Sequence, residues 1–399
     1  MSHTALRIGV AGLGRAFTLM LPTFVTDPRV RLVAAADPQE AARTRFAQDF
    51  GAPTYTSVEA LCNDPRVDVV YVATPHGLHA QHVALAAAAG KHLLVEKPMA
   101  ITLEQCTQMV HAVASARVQM VVGHSHSFNL PVLRTRALIQ SGRFGAVRML
   151  TALNYTDFLY RPRRPEELDT AAGGGVIHSQ AAHQIDILRL LGGGLVESVF
   201  AHTGNWDAQR PTEGAYQALL RFAGGAFASA IYSGYGHFDS DTLMDGIGEM
   251  GQAKQPQDYG AARRRLVGVA SGSEESTLKA ARNYGGALYT PLQPAPDSLA
   301  HQHFGPVIVS CDRADLRPTP HGVEIHDHTT RSVETLANPA VPRSEVIDEL
   351  VAAVTLGQPP LHSGAWARAT TEVCLGILAS AHSGAMQRMH HQVADGAAP

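Results

Sequence analysis

Residues 6–17 read LRIGVAGLGRAF, an apolar run that breaks at Gly12-Leu13-Gly14 and resumes as a helix-compatible stretch. Few folds accommodate that order. Glycine adopts backbone angles closed to other residues, and here it permits a tight turn that brings free N–H groups to a helix start, where a pyrophosphate is bound. Further apolar runs follow: RLVAAAD ending at Asp37, VDVVYVATP ending at Pro75, then KHLLVEKP and VQMVVGH. Alanine-rich segments of helical periodicity, such as Glu40–Phe50 and His79–Ala89, separate them. Strands alternating with helices predict βαβ units, hence an α/β fold with a doubly wound parallel sheet, a Rossmann arrangement.

Within that frame Gly12, Leu13, Gly14, Arg15 and Ala16 are the expected cofactor contacts at the turn, with Asp37 at the end of the second strand. A carboxylate there accepts hydrogen bonds from ribose hydroxyls and repels a 2′-phosphate, so NAD is expected rather than NADP. Two features pull the other way. Phe17 replaces the third glycine of the usual fingerprint, and Arg15 lies near the turn. The bland alternative is a plain strand–helix turn with Asp37 capping a helix.

A chain of 399 residues exceeds one ordinary core, and we expect two domains: residues 1–124 for NAD binding and 125–399 for substrate binding and oligomerisation. The net charge of −3 leaves no basic footprint for nucleic acid. Apolar stretches such as Val83–Ala89 are far shorter than the roughly 20 residues of a membrane helix. Residues 1–5 form a short polar leader with no export signal. The four cysteines form no CxxC pair, which points to a reducing, cytoplasmic location. The HxH pairs His124/His126, His301/His303 and His326/His328 lack a third ligand at a telling spacing, so no metal is expected.

Further motifs carry a family resemblance. Thr74-Pro75-His76 with His79 looks like an ATPxxxH stretch, and Glu96-Lys97-Pro98 like an EKP motif. Gly173-Gly174-Gly175 followed by His183 and Asp186 resembles a glycine-rich helix start containing HxxD. With the Gly12–Gly14 turn, these resemble the glucose–fructose oxidoreductase, inositol dehydrogenase and rhizopine-catabolism (Gfo/Idh/MocA) family. The resemblance implies a C-terminal α/β domain with an open, mostly antiparallel sheet whose face packs in dimers or tetramers. It adds Thr74, Pro75, His79, Glu96 and Lys97 to the cofactor side and places Lys97 beside the reacting hydroxyl. Only four lysines occur in the chain, and one between Glu96 and Pro98 at a strand end is suited to favour loss of a hydroxyl proton. A snorkelling lysine paired with Glu96 is the alternative.

The chain departs from the family where an Asp usually stands four residues before the second-domain His. Here that position is Ser179, beside His178. Helical spacing would put Ser179, His183 and Asp186 on one face, with His183 as a neutral proton acceptor alongside Lys97. A second departure is Ser127, where the family often has Arg.

Later strands are expected at 146–156, Val196–His202, Tyr216–Phe222, Phe227–Tyr232 and Pro306–Cys311, with helices at Arg343–Thr355 and Ala365–Ala381. Residues 238–300 read as a long excursion, either functional or mobile, and the final residues as a frayed tail. Arginine clusters stand at Arg161, Arg163, Arg164 and at Arg263–Arg265. Each is a solvated face or a carboxylate clamp. Arg161 and Arg164, with His126, His178 and Ser179, are the expected substrate contacts. GLGRAFTLMLPTF, YRPRRPEELDTAAGGG and GEMGQAKQPQDYGAARRRL most resemble bacterial phthalate dihydrodiol dehydrogenases. That implies oxidation of a cis-dihydrodiol dicarboxylate to the catechol. A sugar or cyclitol dehydrogenase and a non-catalytic NAD sensor are the competing readings.

Overall fold

A computed structural model of the chain describes residues 5–269, 271–290 and 299–395. The expected polar leader falls mostly outside that range, and the expected frayed tail is corrected as far as it is described: Glu372 accepts the His390 and His391 N–H groups and Asp395 pairs with Arg136. Six strands, β1 (Leu6–Ala11), β2 (Val30–Ala36), β3 (Thr54–Tyr55), β4 (Val69–Val72), β5 (His92–Val95) and β6 (Met120–Val122), form a sheet of order β3-β2-β1-β4-β5-β6. Every pairing in it is parallel. All four β4 residues are buried, because helices cover both faces and leave no side for polar alternation. The covering helices are α1 (Arg15–Thr26), α2 (Glu40–Phe50), α3 (Val58–Cys62), α4 (His79–Ala88) and α5 (Leu103–Ala116). The fold is therefore α/β with an N-terminal Rossmann sheet.

Helices α6 (Leu130–Gln140) and α7 (Ala182–Leu191) flank the entry to a second sheet. Its strands are β7 (Val147–Tyr155), β8 (Val196–Gly204), β9 (Ala215–Phe222), β10 (Phe227–Ser233), β11 (Val307–Cys311), β12 (Ala314–Thr319), β13 (Gly322–Asp327), β14 (Arg331–Thr335) and β15 (Gln387–Arg388). The order is β14-β13-β12-β11-β7-β10-β9-β8-β15. Only the β7–β10 pair is parallel, so this sheet is mostly antiparallel. Tyr216, Ala218, Leu220 and Phe222 of β9 point inward between exposed Gln217, Leu219 and Arg221, the period-2 pattern of a sheet with one covered face. Helix α7, buried at every position, covers it together with α11 (Gly364–Ser383).

The sequence reading did not foresee β12–β14. β12 alternates in burial but carries Pro318 near its end, a residue that demotes a strand reading, and β14 is exposed at four of its five positions and lacks the alternation. The excursion between β10 and β11 carries helices α8 (Ala261–Leu266) and α9 (Gly272–Ala281). Its end docks on the first domain. Tyr284 donates its N–H to Thr18 Oγ1 (3.0 Å) and its hydroxyl to Asp49 (2.7 Å), and its ring meets Phe17 edge-on at 5.1 Å. Phe17, the residue in place of the third glycine, is thus the floor of an interdomain anchor. The chain returns to the first domain once more, since Val346, Ile347 and Leu350 of α10 (Ser344–Leu356) join the Rossmann core. Among the described residues no helix is long and apolar enough to cross a membrane.

Tyr284→Ala should remove a buried ring and its hydroxyl hydrogen bond to Asp49 and cost about 3 kcal/mol. A urea melt is expected to show the lower midpoint, and limited proteolysis cleavage within 256–290. An unshifted midpoint with no new cleavage would show that the excursion is not anchored there.

Candidate active site

The turn after β1 is a built cradle. Gly12 has φ +96°, and a Cβ there would lie 2.8 Å from the Ala73 carbonyl oxygen, so only glycine lets the chain leave the sheet beside β4. Leu13 and Gln39 each donate a backbone N–H to the Asp37 carboxylate, both at 2.7 Å, which fixes it at the end of β2. A side chain at Gly14 would project into open space, and α1 starts there without a side-chain cap. Free helix N–H groups beside an open volume and a fixed carboxylate fit the pyrophosphate and ribose of a dinucleotide. Ala16 lies half-buried in the first turn of α1, next to exposed Arg15. Burial of its surroundings, then Arg161 and Arg282, lowers the Arg15 pKa, and its guanidinium has no partner among the described residues.

Thr74 and Pro75 follow β4, and Thr74 Oγ1 lies 2.9 Å from His82 Nδ1. The ring nitrogens of fully buried His79 face the carbonyls of Thr74 (2.8 Å), Pro98 (3.1 Å) and Met99 (3.2 Å). His79 therefore staples the Thr74 loop to the loop after β5. Glu96 is buried and accepts a hydrogen bond from Tyr71 Oη at 2.6 Å, while burial pushes its pKa up. Glu96 and Lys97 form no ion pair among the described residues. Lys97 instead donates from Nζ to the Ser179 carbonyl at 2.8 Å.

That acceptor comes from an irregularity. Residues Ile177–Ala181 form a π-helical turn before α7. Such a turn widens the backbone, so the regular helical spacing expected between Ser179 and His183 does not hold, whereas His183 and Asp186 both lie in α7. Ser179 offers its carbonyl to Lys97. Asp186 accepts from Trp366 Nε1 (2.7 Å), Thr370 Oγ1 (2.6 Å) and Ser127 Oγ. Ser127 in turn lies 2.9 Å from His362 Nε2, whose Nδ1 is 2.8 Å from Glu349. Glu349 and Asp186 overcome the effect of burial and raise the His362 pKa. Asp186 thus holds the fold of the site rather than facing the reaction.

His183 stands apart from that network. Its ring lies 4.7 Å from His126 and 5.0 Å from Phe304, and its buried Nδ1 has no partner among the described residues. Burial, then Lys97, holds its pKa well below the ordinary value, so the ring is neutral at pH 7. His126 and His124 are depressed likewise, by burial and then by Arg343. Burial also brings Lys97 down to about 8, against the pull of Glu96 and Glu249. A lysine that shares its proton near neutrality, beside a neutral histidine with a free nitrogen, can take a proton from a hydroxyl. His178 is buried and its pKa is lowered by burial.

The expected arginine contacts are already engaged. Arg161 pairs with Asp157 (3.2 Å) and Glu249 (3.6 Å), and Arg164 with Glu166 (3.0 Å) and Glu167 (3.6 Å). The sequence reading passed over Arg343, whose charge acts on Lys97, His124, His126 and His183. Among the described residues its guanidinium is hydrogen-bonded to Gln302 Oε1 (3.2 Å) and Met250 Sδ (3.5 Å). The sequence reading also passed over Glu249 and Phe304, and named Arg163 only within its cluster. The HxH pairs held part of the signal, since His124 and His126 reach the site and His303 packs close enough to His126 to depress it. Among the described residues no group of three or more His, Cys, Asp or Glu is placed to hold a metal ion.

Residues 6–124 match the model of an oxidoreductase family with an NAD-binding Rossmann fold, and residues 132–254 match the GFO/IDH/MocA C-terminal domain. The chain belongs to the Gfo/Idh/MocA family. It is 46% identical over 374 residues to 1-carboxy-3-chloro-3,4-dihydroxycyclohexa-1,5-diene dehydrogenase of Comamonas testosteroni, a match covering 94% of each chain. A mouse trans-1,2-dihydrobenzene-1,2-diol dehydrogenase is 28% identical, with 63% of this chain and 75% of that one covered. A solved chain from Bordetella bronchiseptica RB50 superposes with a TM-score of 0.90 at 39% identity, covering 96% of this chain and all of that one. The protein is an NAD-dependent dehydrogenase. In this Gfo/Idh/MocA member the missing Asp before His183 leaves the Ser179 carbonyl as the second-domain partner of Lys97.

Asp37→Ala should weaken NAD binding by about 10- to 100-fold, the worth of charge-assisted hydrogen bonds, and narrow the preference over NADP. Fluorescence titration with NADH and NADPH measures both, and an unchanged preference would separate Asp37 from cofactor choice.

Proposed function

We propose that the protein oxidises a cis-dihydrodiol dicarboxylate, 4,5-dihydro-4,5-dihydroxyphthalate, to 4,5-dihydroxyphthalate in the cytoplasm. The observation that carries this reading is the excess of guanidinium around Lys97. Arg163 and Arg343 act on Lys97 without a carboxylate ion pair of their own among the described residues, and Arg15, equally unpaired there, acts on Arg343, whereas Glu96 and Glu249 are the carboxylates acting on Lys97. Such an imbalance suits an anionic ligand and serves no neutral sugar. The name of the Comamonas relative, a carboxylated dihydroxycyclohexadiene, supports the same class.

NAD, held by the Gly12–Gly14 turn and Asp37, supplies the hydride acceptor. Lys97 Nζ, with His183 Nδ1 beside it, takes the hydroxyl proton as the carbinol carbon is oxidised. The ring of Phe304, 5.0 Å from His183, forms an apolar wall for the substrate ring. Proton shift in the resulting enone gives the aromatic catechol, which draws the reaction forward.

NADH formation with the phthalate dihydrodiol, beside inositol and glucose, tests the reading. Turnover on the dihydrodiol alone is expected; turnover only on a polyol discards the dicarboxylate. Because neutral Lys97 is the working base, kcat/KM should rise with pH and level off above about pH 8. Lys97→Met should lose that rise and drop kcat by about 100- to 10,000-fold. A variant that kept both would remove Lys97 from the chemistry.

The open face of the second sheet is read as the self-association surface. Phe200 faces Leu219 across β8 and β9, Phe227 faces Met149 across β10 and β7, and all four are exposed. A contiguous apolar strip on an uncovered sheet marks an interface. Leu219→Lys with Phe227→Lys should convert a dimer or tetramer to monomer in light scattering; a wild type that is already monomeric would sink this reading.

A further inference from the structure

Three arginines are buried in the described residues: Arg163, Arg189 and Arg210. Two have their charge accounted for. Arg210 pairs with Glu275 at 2.8 Å. Arg189 donates to the Trp366 carbonyl, Thr370 Oγ1 and Gln392, stacks on Trp366 at 4.0 Å and feels the Asp186 charge. Arg163 does not. Its Nη2 donates to the Phe158 carbonyl at 2.8 Å, its plane lies 3.6 Å over the Phe158 ring, and its Nε is buried without a partner. It forms no carboxylate ion pair among the described residues. Glu167, the carboxylate that acts on it most, is itself bound by Lys279 and by the Arg164 N–H. The nearby Glu275 carboxylate accepts the Arg163 backbone N–H and the Arg210 side chain.

A buried guanidinium with a free edge is costly unless something occupies that edge. Burial first, with Arg161 and Arg210 against the pull of Glu167, brings Arg163 down to about 10, and its charge is felt at Lys97. Arg163 therefore shares a poorly screened space with the proposed base. The fork is also held ready, by the Phe158 ring beneath it and the Phe158 carbonyl at one corner. Planar donors fixed in this way suit a carboxylate bidentately. Arg161 and Arg164, on either side in sequence, face carboxylates of the protein and are neutralised.

We propose that Arg163 is the substrate-carboxylate clamp, the residue by which this enzyme selects an anionic dihydrodiol over an uncharged one. This rests on the dicarboxylate reading above and names the residue that delivers it. Arg163→Met retains length and apolar volume while removing the fork.

The test compares wild type and Arg163→Met on the phthalate dihydrodiol and on cis-benzene dihydrodiol, the same diol without carboxylates. Phthalate binding to the enzyme–NADH complex is followed by NADH fluorescence. The variant should raise KM for the phthalate substrate about 10- to 100-fold, from the loss of charge-assisted bonds, and weaken phthalate binding in step. Its KM for the uncharged diol and its NADH affinity should match wild type, and Arg163→Lys should recover part of the phthalate affinity. Equal losses on both diols, or an unchanged KM for the phthalate substrate, would overturn the assignment. Wild type that neither oxidises the phthalate dihydrodiol nor binds phthalate would instead overturn the functional reading beneath it. Should Arg163→Met fail to fold, a crystal structure of wild type with NADH and phthalate decides: a carboxylate on the Arg163 fork supports the clamp, and one seated only on Arg161 or Arg343 refutes it.

Discussion

Lys97 is a half-buried ammonium whose direct hydrogen bond is to a backbone carbonyl. Enclosing a cation in that way is unfavourable unless carboxylates or a ligand offset the lost hydration. Glu96 and Glu249 offset it in part, but Glu96 is already engaged by Tyr71, and Arg163 and Arg343 push in the opposite direction. The result is a lysine held near the point of losing its proton. Because the accepting carbonyl belongs to Ser179, the position of Nζ depends on the second domain as much as on β5. The π-helical turn matters for this reason, since it presents Ser179 at the place where a regular helix and an Asp would present a side chain.

That dependence requires the two domains to keep their relation, and the chain provides several ties. Gly173 packs so tightly on Ile101 that a Cβ would lie 2.4 Å from its side chain. The excursion anchors Tyr284 over Phe17, and α10 crosses back into the Rossmann core. Phe17 illustrates how one substitution in a fingerprint is absorbed: the bulk that a third glycine would avoid becomes a docking surface for the other domain. The excursion also carries Glu275 and Lys279 to the segment holding Arg163 and Glu167. One long insertion thus braces both the cofactor domain and the arginine cluster.

The parallel sheet was legible because its signals are local. Buried strands of Val, Ile and Leu, a glycine turn and an acid at the next strand end lie in fixed order along the chain. The same holds for Lys97 beside Glu96 and Pro98. What escaped depends on long-range contacts. Arg343 stands far along the chain from every motif, and nothing in RSEVIDEL marks its side chain as reaching toward Lys97. Within Arg161-Pro162-Arg163-Arg164 the sequence could not separate paired from unpaired guanidinium, because Asp157, Glu249 and Glu166 decide that only once folded. The one-face reading of Ser179, His183 and Asp186 assumed 3.6 residues per turn, and the π-helical turn broke that assumption.

The histidines show how the same electrostatics shape the site's protonation. His124, His126 and His183 are kept neutral by burial and by neighbouring cations. They therefore add polarity and accepting nitrogens without adding charge. Arg343 lowers the pKa of both Lys97 and His183, and Lys97 lowers that of His183 further. A dianionic substrate would alter that balance. Its carboxylates, seated among the guanidinium groups, would cancel part of the field that now lowers both pKa values and make the pair more basic once the substrate is bound. Under the proposed dicarboxylate reading the arginines would then serve twice, in recognising the anion and in letting its arrival strengthen the base that takes its hydroxyl proton.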